Sequence, residues 1–144
     1  MSEYGAYLPA EIAELRPDEV SLGYWESCAR RDLSIQQCLH CKTFRHLPRP
    51  TCPNCNSFEY QYTPVSGCGT IFSYTIAHHP VHPALREKTP YNIILVNLDD
   101  APIRLVSNLV DADNQEVFIG MSVEVAWEEQ APGVVIPRFR PRRS

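Results

Sequence analysis

The sequence lacks the features that define several broad classes of protein. No run approaches the roughly 20 apolar residues that cross a bilayer, so no membrane span is predicted. Residues 1–10 contain neither a basic head nor a long apolar stretch, so the sequence predicts no signal peptide and we expect a cytoplasmic protein. The GxSxG elbow, the P-loop and the dinucleotide-binding fingerprint are also missing from the sequence.

Two residue types, by contrast, are abundant. The 144-residue chain has 13 prolines and 6 cysteines. Its length corresponds to one medium domain or two very small ones. Proline breaks helix interiors, so the proline count argues against a helical bundle. Cysteines in a chain without a secretion signal are more often metal ligands than disulfide partners.

The formal net charge of −4 conceals an alternation along the chain. The net charge is −5 over residues 1–27, +3 over 28–64, −6 over 65–137 and +4 over 138–144. Because phosphates are bound by arginine and lysine, an anion-binding surface is expected on the cysteine-rich segment or on the basic C-terminal tail. The long acidic segment is a poor surface for nucleic acid.

The first two parts of the chain are short. Residues 1–32 predict a helical arm, in which one helix covers 8–16 and another runs from an N-cap at Asp18 to about Arg31. Residues 33–64 hold four closely spaced cysteines and a short strand pattern near their end. A segment of about 30 residues is too small to build its own hydrophobic core.

From residue 65 to residue 144 the pattern is that of short strands. Five strands in this length suit a small closed barrel, which leaves no exposed sheet edge. We expect Phe72, Tyr74 and Tyr91 in the barrel core and a bulge or bend at Gly67–Gly69. The predicted strands are Ile71–Ala77, Tyr91–Leu98, Ile103–Ser107, Val123–Glu128 and Val134–Phe139, the last ending near Pro137.

The strongest motif is a pair of CxxC sequences separated by ten residues, which are Cys38, Cys41, Cys52 and Cys55. Two intervening residues let a tight turn direct both sulfurs at one point, and two such turns supply a tetrahedral thiolate site that suits zinc. We predict one structural zinc per chain, whose binding contributes folding free energy to this small segment. Four thiolates leave no open position for a catalytic water. Iron in a rubredoxin-like site and two disulfides are the alternatives.

Other chemically active residues have ordinary structural explanations. Cys28 and Cys68 are predicted to be small buried side chains rather than nucleophiles. The HHxxH pattern of residues 78–82 has a metal-binding spacing on a helix, but its prolines exclude a helix, so we expect loop histidines. Asp99 and Asp100 follow a strand and predict a turn rather than a catalytic pair.

The order of several motifs resembles the acyl-CoA-associated zinc-ribbon/OB-fold family, first catalogued as a domain of unknown function. The resemblance covers about residues 20–140. The motifs that carry it are Tyr24-Trp25-Glu26, the two CxxC sequences with Pro48-Arg49-Pro50 between them, Gly67-Cys68-Gly69-Thr70, Pro90-Tyr91, Leu95-Val96-Asn97-Leu98, Ser107-Asn108-Leu109-Val110 and Ile119-Gly120-Met121-Ser122-Val123.

The resemblance implies a mainly β architecture: an N-terminal helical arm over 1–32, a rubredoxin-like zinc ribbon over 33–64 and a five-stranded OB-fold barrel with a basic tail over 65–144. Members of the family accompany thiolase-like proteins, among them acyltransferases, ketothiolases and lipid-transfer-protein-like aldolases of steroid breakdown, and some act with MaoC-type enoyl-CoA hydratases. In such complexes the catalytic residues belong to the partner.

Three functions follow from these expectations. The first is a non-catalytic accessory subunit that holds an acyl-CoA-processing complex together, with the apolar loop and the Phe139-containing tail as docking elements. The second is an autonomous acyl-CoA enzyme that uses His78, His79 or Asp100. The third is a nucleic-acid-binding module, which the acidic barrel segment disfavours. If the CoA ester contacts this chain, its phosphates require basic residues, and the candidates are Lys42, Arg45 and Arg49, with the tail arginines next.

Overall fold

The computed structural model describes residues 7–9 and 15–143. Within them one α-helix accompanies a three-stranded sheet and a nearly closed five-stranded barrel, which confirms the predicted fold class. No helix in these ranges is long and apolar enough to cross a membrane. The elements are α1 (Leu22–Ala29), β1 (Ser34–Cys38), β2 (Phe44–Arg45), β3 (Tyr60–Pro64), β4 (Cys68–Ala77), β5 (Tyr91–Leu98), β6 (Arg104–Ser107), β7 (Ser122–Ala131) and β8 (Val134–Pro141), with short 3₁₀ turns at Pro83–Leu85 and Asn114–Glu116.

Helix α1 is shorter than the sequence predicts. It begins four residues after Asp18, because Asp18 closes a turn in which its carboxylate accepts a hydrogen bond from the Ser21 backbone N–H at 2.7 Å. A Cβ added at Gly23 would overlap the Tyr62 ring, so glycine permits the close packing of α1 on β3 at some cost in helix propensity. The helix expected over 8–16 falls mostly on residues 10–14, outside the described residues.

The ribbon sheet has the order β2-β1-β3, with antiparallel pairing throughout. The central strand β1 is a correction to the sequence analysis, which predicted no strand there. Its Gln36 side chain is buried, and its amide exchanges two hydrogen bonds with the Arg49 main chain at 2.8 and 2.9 Å. The buried amide thereby fixes the loop between the two CxxC sequences against the strand.

The five-stranded sheet has the order β6-β5-β4-β7-β8. It nearly closes where β8 meets the end of β6 and the residues that follow it. The Ser107 hydroxyl donates to the Pro137 carbonyl at 2.8 Å, and the Phe139 backbone N–H donates to the Asn108 carbonyl at 3.2 Å. Strand β8 therefore continues through Pro137, which corrects the predicted end of the last strand, and proline is tolerated there because β8 terminates the sheet order.

Strand β4 leaves the barrel partway along its length. Strand β7 pairs only with residues 68–70 of β4, and a register shift in the pairing with β5 falls between Ile71 and Ser73. The sequence analysis expected the bulge at Gly67–Gly69, but it lies further along the strand, between Ile71 and Ser73. The outer half of β4 has β5 as its single paired neighbour among the described strands.

The bulge also corrects the predicted barrel core. Phe72 and Tyr74 are 43% and 40% exposed, whereas Tyr91 is buried as expected. Simple alternation assigned all three rings to the interior, but a bulge changes which face each later side chain occupies. The two exposed rings lie on the part of β4 that β7 does not cover.

One hydrophobic core connects all parts of the described chain. It contains Tyr24 and Cys28 of α1, Ile35 of β1, and barrel residues such as Ile94 and Phe139. Phe139 is fully buried, so its ring is not part of an exposed docking element, and docking by the rest of the tail stays a prediction. Arm, ribbon and barrel therefore share their packing instead of forming separate globules.

Candidate functional site

The two CxxC segments fold into the same backbone turn, which we call knuckles (residues 38–43 and 52–57). In each, the residue after the second cysteine donates its N–H to the carbonyl of the first cysteine, at 3.1 Å for Lys42 and 2.9 Å for Asn56. These two residues have φ of 64°, in the left-handed region. Each first cysteine in turn donates its N–H to the carbonyl five residues later, at 2.9 Å in both cases. The repeated geometry directs two pairs of sulfurs toward each other.

The four sulfurs form a group that fits a tetrahedral metal ion. All four Sγ atoms lie within 4.8 Å of one another, and the pairs Cys38–Cys55 and Cys41–Cys52 are 3.6 and 3.5 Å apart. Zinc bound to sulfur at about 2.3 Å requires a spacing of about 3.8 Å between the sulfurs of a regular tetrahedron. The residues present therefore fit one structural zinc, as the sequence predicts.

The knuckles also supply hydrogen bonds that favour thiolates. The Asn54 side chain and then the Thr43 hydroxyl, which lies 3.1 Å from the sulfur, lower the pKa of Cys41 to about 5. The Cys41 backbone N–H donates to the Cys38 Sγ at 3.5 Å and lowers the pKa of Cys38. Because the thiolate is the metal ligand, these bonds favour metal binding by Cys38 and Cys41. At Cys55 the hydrogen bond from the Ser57 backbone lowers the pKa, but burial and the three neighbouring sulfurs outweigh it and raise the pKa to about 11.

The histidines and the acidic residue of the enzyme alternative do not converge. His78 and His79 follow the last residue of β4, whereas Asp100 lies near its first residue, beside the β5–β6 turn. The Asp100 carboxylate accepts a hydrogen bond from the Ser66 backbone N–H at 2.8 Å. His82 accepts a hydrogen bond from the Ala84 N–H and caps a 3₁₀ turn. In the described part of the chain, the four cysteines are the one group of potential ligands close enough for a metal.

The remaining two cysteines differ from each other. Cys28 is fully buried, and burial raises the pKa of its thiol to about 11, as expected of a packing residue. Cys68 is half-buried at the start of β4, opposite Glu124 of β7, so its predicted complete burial is wrong.

The three candidate contacts for CoA occupy two different places. Arg45 and Arg49 line a cavity of about 650 Å³ between the ribbon and the barrel, whereas Lys42 is exposed in the first knuckle and does not line it. Arg104 lines the same cavity from the barrel side and was missed by the sequence analysis. A signal was available, because Arg104 is the single basic residue between Lys88 and Arg138.

Most of the tail arginines are paired with carboxylates. Arg138 is buried against Glu128, with its Nε 3.2 Å from a carboxylate oxygen. Arg140 and Arg142 lie 3.1 and 4.0 Å from the carboxylates of Glu124 and Asp99. The positive charge of residues 138–144 is therefore largely neutralised locally, which leaves the ribbon side of the cavity as the better anion surface.

His46, at the rim of the same cavity, makes folding sensitive to pH. Burial lowers the pKa of its imidazole to about 4, against 6.5 in an unfolded chain, and its Nδ1 is buried without a hydrogen-bond partner among the described residues. Below pH 6.5 the unfolded chain binds a proton that the folded chain excludes. We therefore expect His46 to lower the free energy of unfolding as the pH falls from about 6.5 to 4. The decrease should be up to about 1.4 kcal/mol per pH unit.

Denaturant unfolding of the native chain and of a His46→Gln variant across this pH range tests the expectation. Glutamine does not titrate, so the variant should lose less stability over the interval than the native chain. The cysteine ligands titrate equally in both proteins and cancel in the comparison. Parallel curves for the two proteins would contradict the assignment.

A closed four-sulfur ribbon joined to an OB-type barrel defines a class, the zinc-ribbon/OB-fold proteins. Two family profiles match this chain: the rubredoxin-like zinc ribbon domain of ChsH2 over residues 25–61, and the C-terminal OB-fold domain of ChsH2 over residues 62–128. A DUF35 domain-containing scaffold protein of Methanocaldococcus jannaschii is 30% identical over 81% of this chain and 82% of its own length. The chain belongs to this ChsH2/DUF35 zinc-ribbon/OB-fold family.

Two further similarities concern larger assemblies. A chain of the solved Ltp2-ChsH2(DUF35) aldolase is 40% identical, with a TM-score of 0.80, and the match covers 89% of this chain and 98% of that one. A probable enoyl-CoA hydratase alpha subunit of Thermomonospora curvata is 43% identical over 82% of this chain. The chain spans 36% of the length of that hydratase subunit.

Proposed function

We propose that this chain is a non-catalytic scaffold subunit that binds a thiolase-like aldolase or acyltransferase acting on acyl-CoA thioesters. The observation that carries the proposal is the similarity to a chain of the Ltp2-ChsH2(DUF35) aldolase, which extends over 98% of that chain at 40% identity. A MaoC-type hydratase is a second partner in this proposal, supported by the similarity to part of a protein named as a hydratase alpha subunit.

The metal centre supports a scaffold function. Four thiolates saturate a tetrahedral zinc, so the ion stabilises the ribbon and has no position for a substrate or a reactive water. His78 and His79 are held at the opposite end of β4 from Asp100. In this proposal the partner therefore supplies the catalytic residues, and the zinc ribbon supplies a rigid binding surface.

An exposed apolar surface provides a place for the partner to dock. We define the outer β-face as Tyr74, Ile93, Leu95 and Val106, which line a shallow groove of about 220 Å³ across β4, β5 and β6. Val106 is 72% exposed on β6, and the outer half of β4, on the other side of β5, lacks pairing with β7. Exposed apolar patches next to an unpaired strand are typical of protein interfaces.

The CoA thioester is proposed to contact the ribbon through Arg45 and Arg49. These two arginines lie together at the wall of one cavity, with the Arg45 guanidinium bonded to the Arg49 carbonyl. Lys42 remains a prediction, on the exposed surface of the first knuckle. In this proposal the arginine guanidinium groups donate hydrogen bonds to the phosphate oxygens of CoA.

Co-purification with a co-expressed thiolase-like protein tests the scaffold function. We expect a stable complex, and Val106→Asp should weaken it about tenfold or more, because a charge would be buried at the docking face. Phe58→Asp is the matched control, since Phe58 is equally exposed but lies on the ribbon; its complex should keep the native affinity. Turnover of an acyl-CoA by the purified chain alone, or equal losses in both variants, would refute the proposal.

A further inference from the structure

Two large apolar side chains are exposed side by side between β6 and β7. Phe118 is 56% exposed and Ile119 is 67% exposed, in the segment that joins the 3₁₀ turn at Asn114–Glu116 to β7. We call this pair the apolar tip. Neither the metal centre nor the outer β-face includes these residues. Contiguous exposed apolar residues, unlike isolated ones, mark contact surfaces.

The backbone of the apolar tip is fixed by hydrogen bonds. The Met121 N–H donates to the Phe118 carbonyl at 3.2 Å and closes a β-turn. Gly120, the third residue of this turn, has a φ of 95°, in the left-handed region that favours glycine. The turn is also bonded to β4, because the Gly120 N–H donates to the Ile71 carbonyl at 2.8 Å and the Ile71 N–H donates to the Met121 carbonyl at 3.0 Å.

The residues on either side of the apolar tip anchor it in the barrel. Val117 and Met121 are buried and belong to the shared hydrophobic core. The 3₁₀ turn before the tip is closed by a capping box between Asp113 and Glu116. The tip is therefore held in one backbone conformation, so little entropy remains to be lost when it binds. Large apolar side chains presented in this way, aromatic ones above all, are the usual anchors of protein interfaces.

Acidic groups flank the apolar tip. Residues 105–137 include six carboxylates and no lysine or arginine. Asp113 and Glu116, in the turn just before the tip, are exposed, and none of the ion pairs in the described part of the chain includes them. The backbone of Arg142 pairs with the first residue of β7, but its guanidinium lies 4.0 Å from the carboxylate of Asp99. The tip therefore has a negatively charged rim.

The charge of the rim decides which surface the apolar tip can enter. An anionic bilayer would be repelled by the carboxylates, and residues 105–137 offer no basic group to attract its headgroups. A symmetric contact between two copies would bring two acidic rims together. A protein pocket with apolar walls and a basic rim is complementary to the tip in both shape and charge. We propose that Phe118 and Ile119 insert into a pocket of this kind on the thiolase-like partner.

The position of the apolar tip suits the partner assigned to the outer β-face. The turn is bonded to β4 at Ile71, three residues before Tyr74 of that face, and three residues of a strand span about 10 Å. A standard interface covers about 800 Å² on each protein, a patch roughly 30 Å across, so one partner can cover both surfaces. This inference rests on the proposed function for the identity of the partner, and the tip itself supplies the shape and the charge.

Calorimetry of the full, zinc-loaded chain with a purified thiolase-like protein tests the apolar tip. We expect Phe118→Ala and Ile119→Ala each to weaken the complex about tenfold or more, as the loss of an interface anchor does. Phe58→Ala is the matched control, because Phe58 carries the same ring and is 73% exposed but lies on the ribbon. This variant should change the affinity less than about twofold.

Gln115 allows a separate test of the acidic rim. This residue is exposed in the 3₁₀ turn before the tip. Against a basic pocket, Gln115→Lys should slow association by about threefold and Gln115→Glu should speed it, and both differences should shrink as the salt concentration rises. Equal association rates for the two variants would show that no basic rim faces the tip, contrary to the proposal.

Three further outcomes overturn the inference. Native affinity in both tip variants, together with a weakened Val106→Asp complex, would remove the tip from the interface and leave the scaffold function standing. A dimer of the chain that both tip substitutions dissociate in sedimentation would assign the tip to a second copy. Binding to phosphatidylcholine vesicles that is lost in the same variants would assign it to lipid. If the native chain binds no thiolase-like protein, the scaffold function fails and this inference fails with it.

Discussion

Loss of zinc is expected to unfold the ribbon and to destabilise the barrel with it. Structural zinc sites contribute on the order of 10 kcal/mol of apparent folding free energy, and a ribbon of about 30 residues has little core of its own. Leu33 and Ile35 of the ribbon belong to the same hydrophobic core as the barrel. A Cys52→Ser variant should therefore lose its metal and melt at a much lower temperature.

Elemental analysis and thermal unfolding check this result. The native chain should contain about one zinc, and a strong chelator should reproduce the melting behaviour of the variant. Cys68→Ser is the matched control because Cys68 lies outside the four-sulfur group, and it should retain both zinc and stability. A metal-free protein that keeps its fold would contradict the assignment.

The second large effect concerns the buried ion pair of the barrel. Arg138 and Glu128 are both buried, and the Arg138 Nη1 also donates to the Asn108 Oδ1 at 2.8 Å. Replacing Arg138 by methionine leaves an uncompensated carboxylate in the interior. We expect a loss of about 3–5 kcal/mol in the free energy of unfolding, measured by denaturant titration.

Two comparisons make this measurement specific. Arg138→Met combined with Glu128→Gln should recover a large part of the loss, because no charge then remains buried without a partner. Arg140→Met removes an exposed pair with Glu124 and should cost less than about 1 kcal/mol. If the exposed and buried variants lose equal stability, the penalty does not come from the buried charge.

The sequence predicts this fold well where the pattern is local. The apolar run of Tyr91–Leu98 coincides with β5, whose residues Ile94, Val96 and Leu98 are buried while Ile93 and Leu95 are half-buried on the outer β-face. The spacing of the four cysteines likewise predicts the metal centre, because each knuckle depends only on two neighbouring sulfurs and the turn between them.

The incorrect predictions concern features that depend on tertiary contacts. Strand β1 is polar, and Gln36 becomes a core residue only because the Arg49 main chain satisfies its amide. Phe72 and Tyr74 are exposed because a bulge interrupts the alternation that would have buried them. The cavity arginines come from segments more than 50 residues apart, so no local pattern could place Arg104 beside Arg45.

The shared core has a consequence for the energetics of assembly. Because residues of α1, β1 and the barrel pack in one cluster, we expect the ribbon and the barrel to move as one body. The subunit would then present its ribbon and its barrel to a partner as one rigid surface. Association should proceed without a slow conformational step, and its heat-capacity change should reflect the contact area alone.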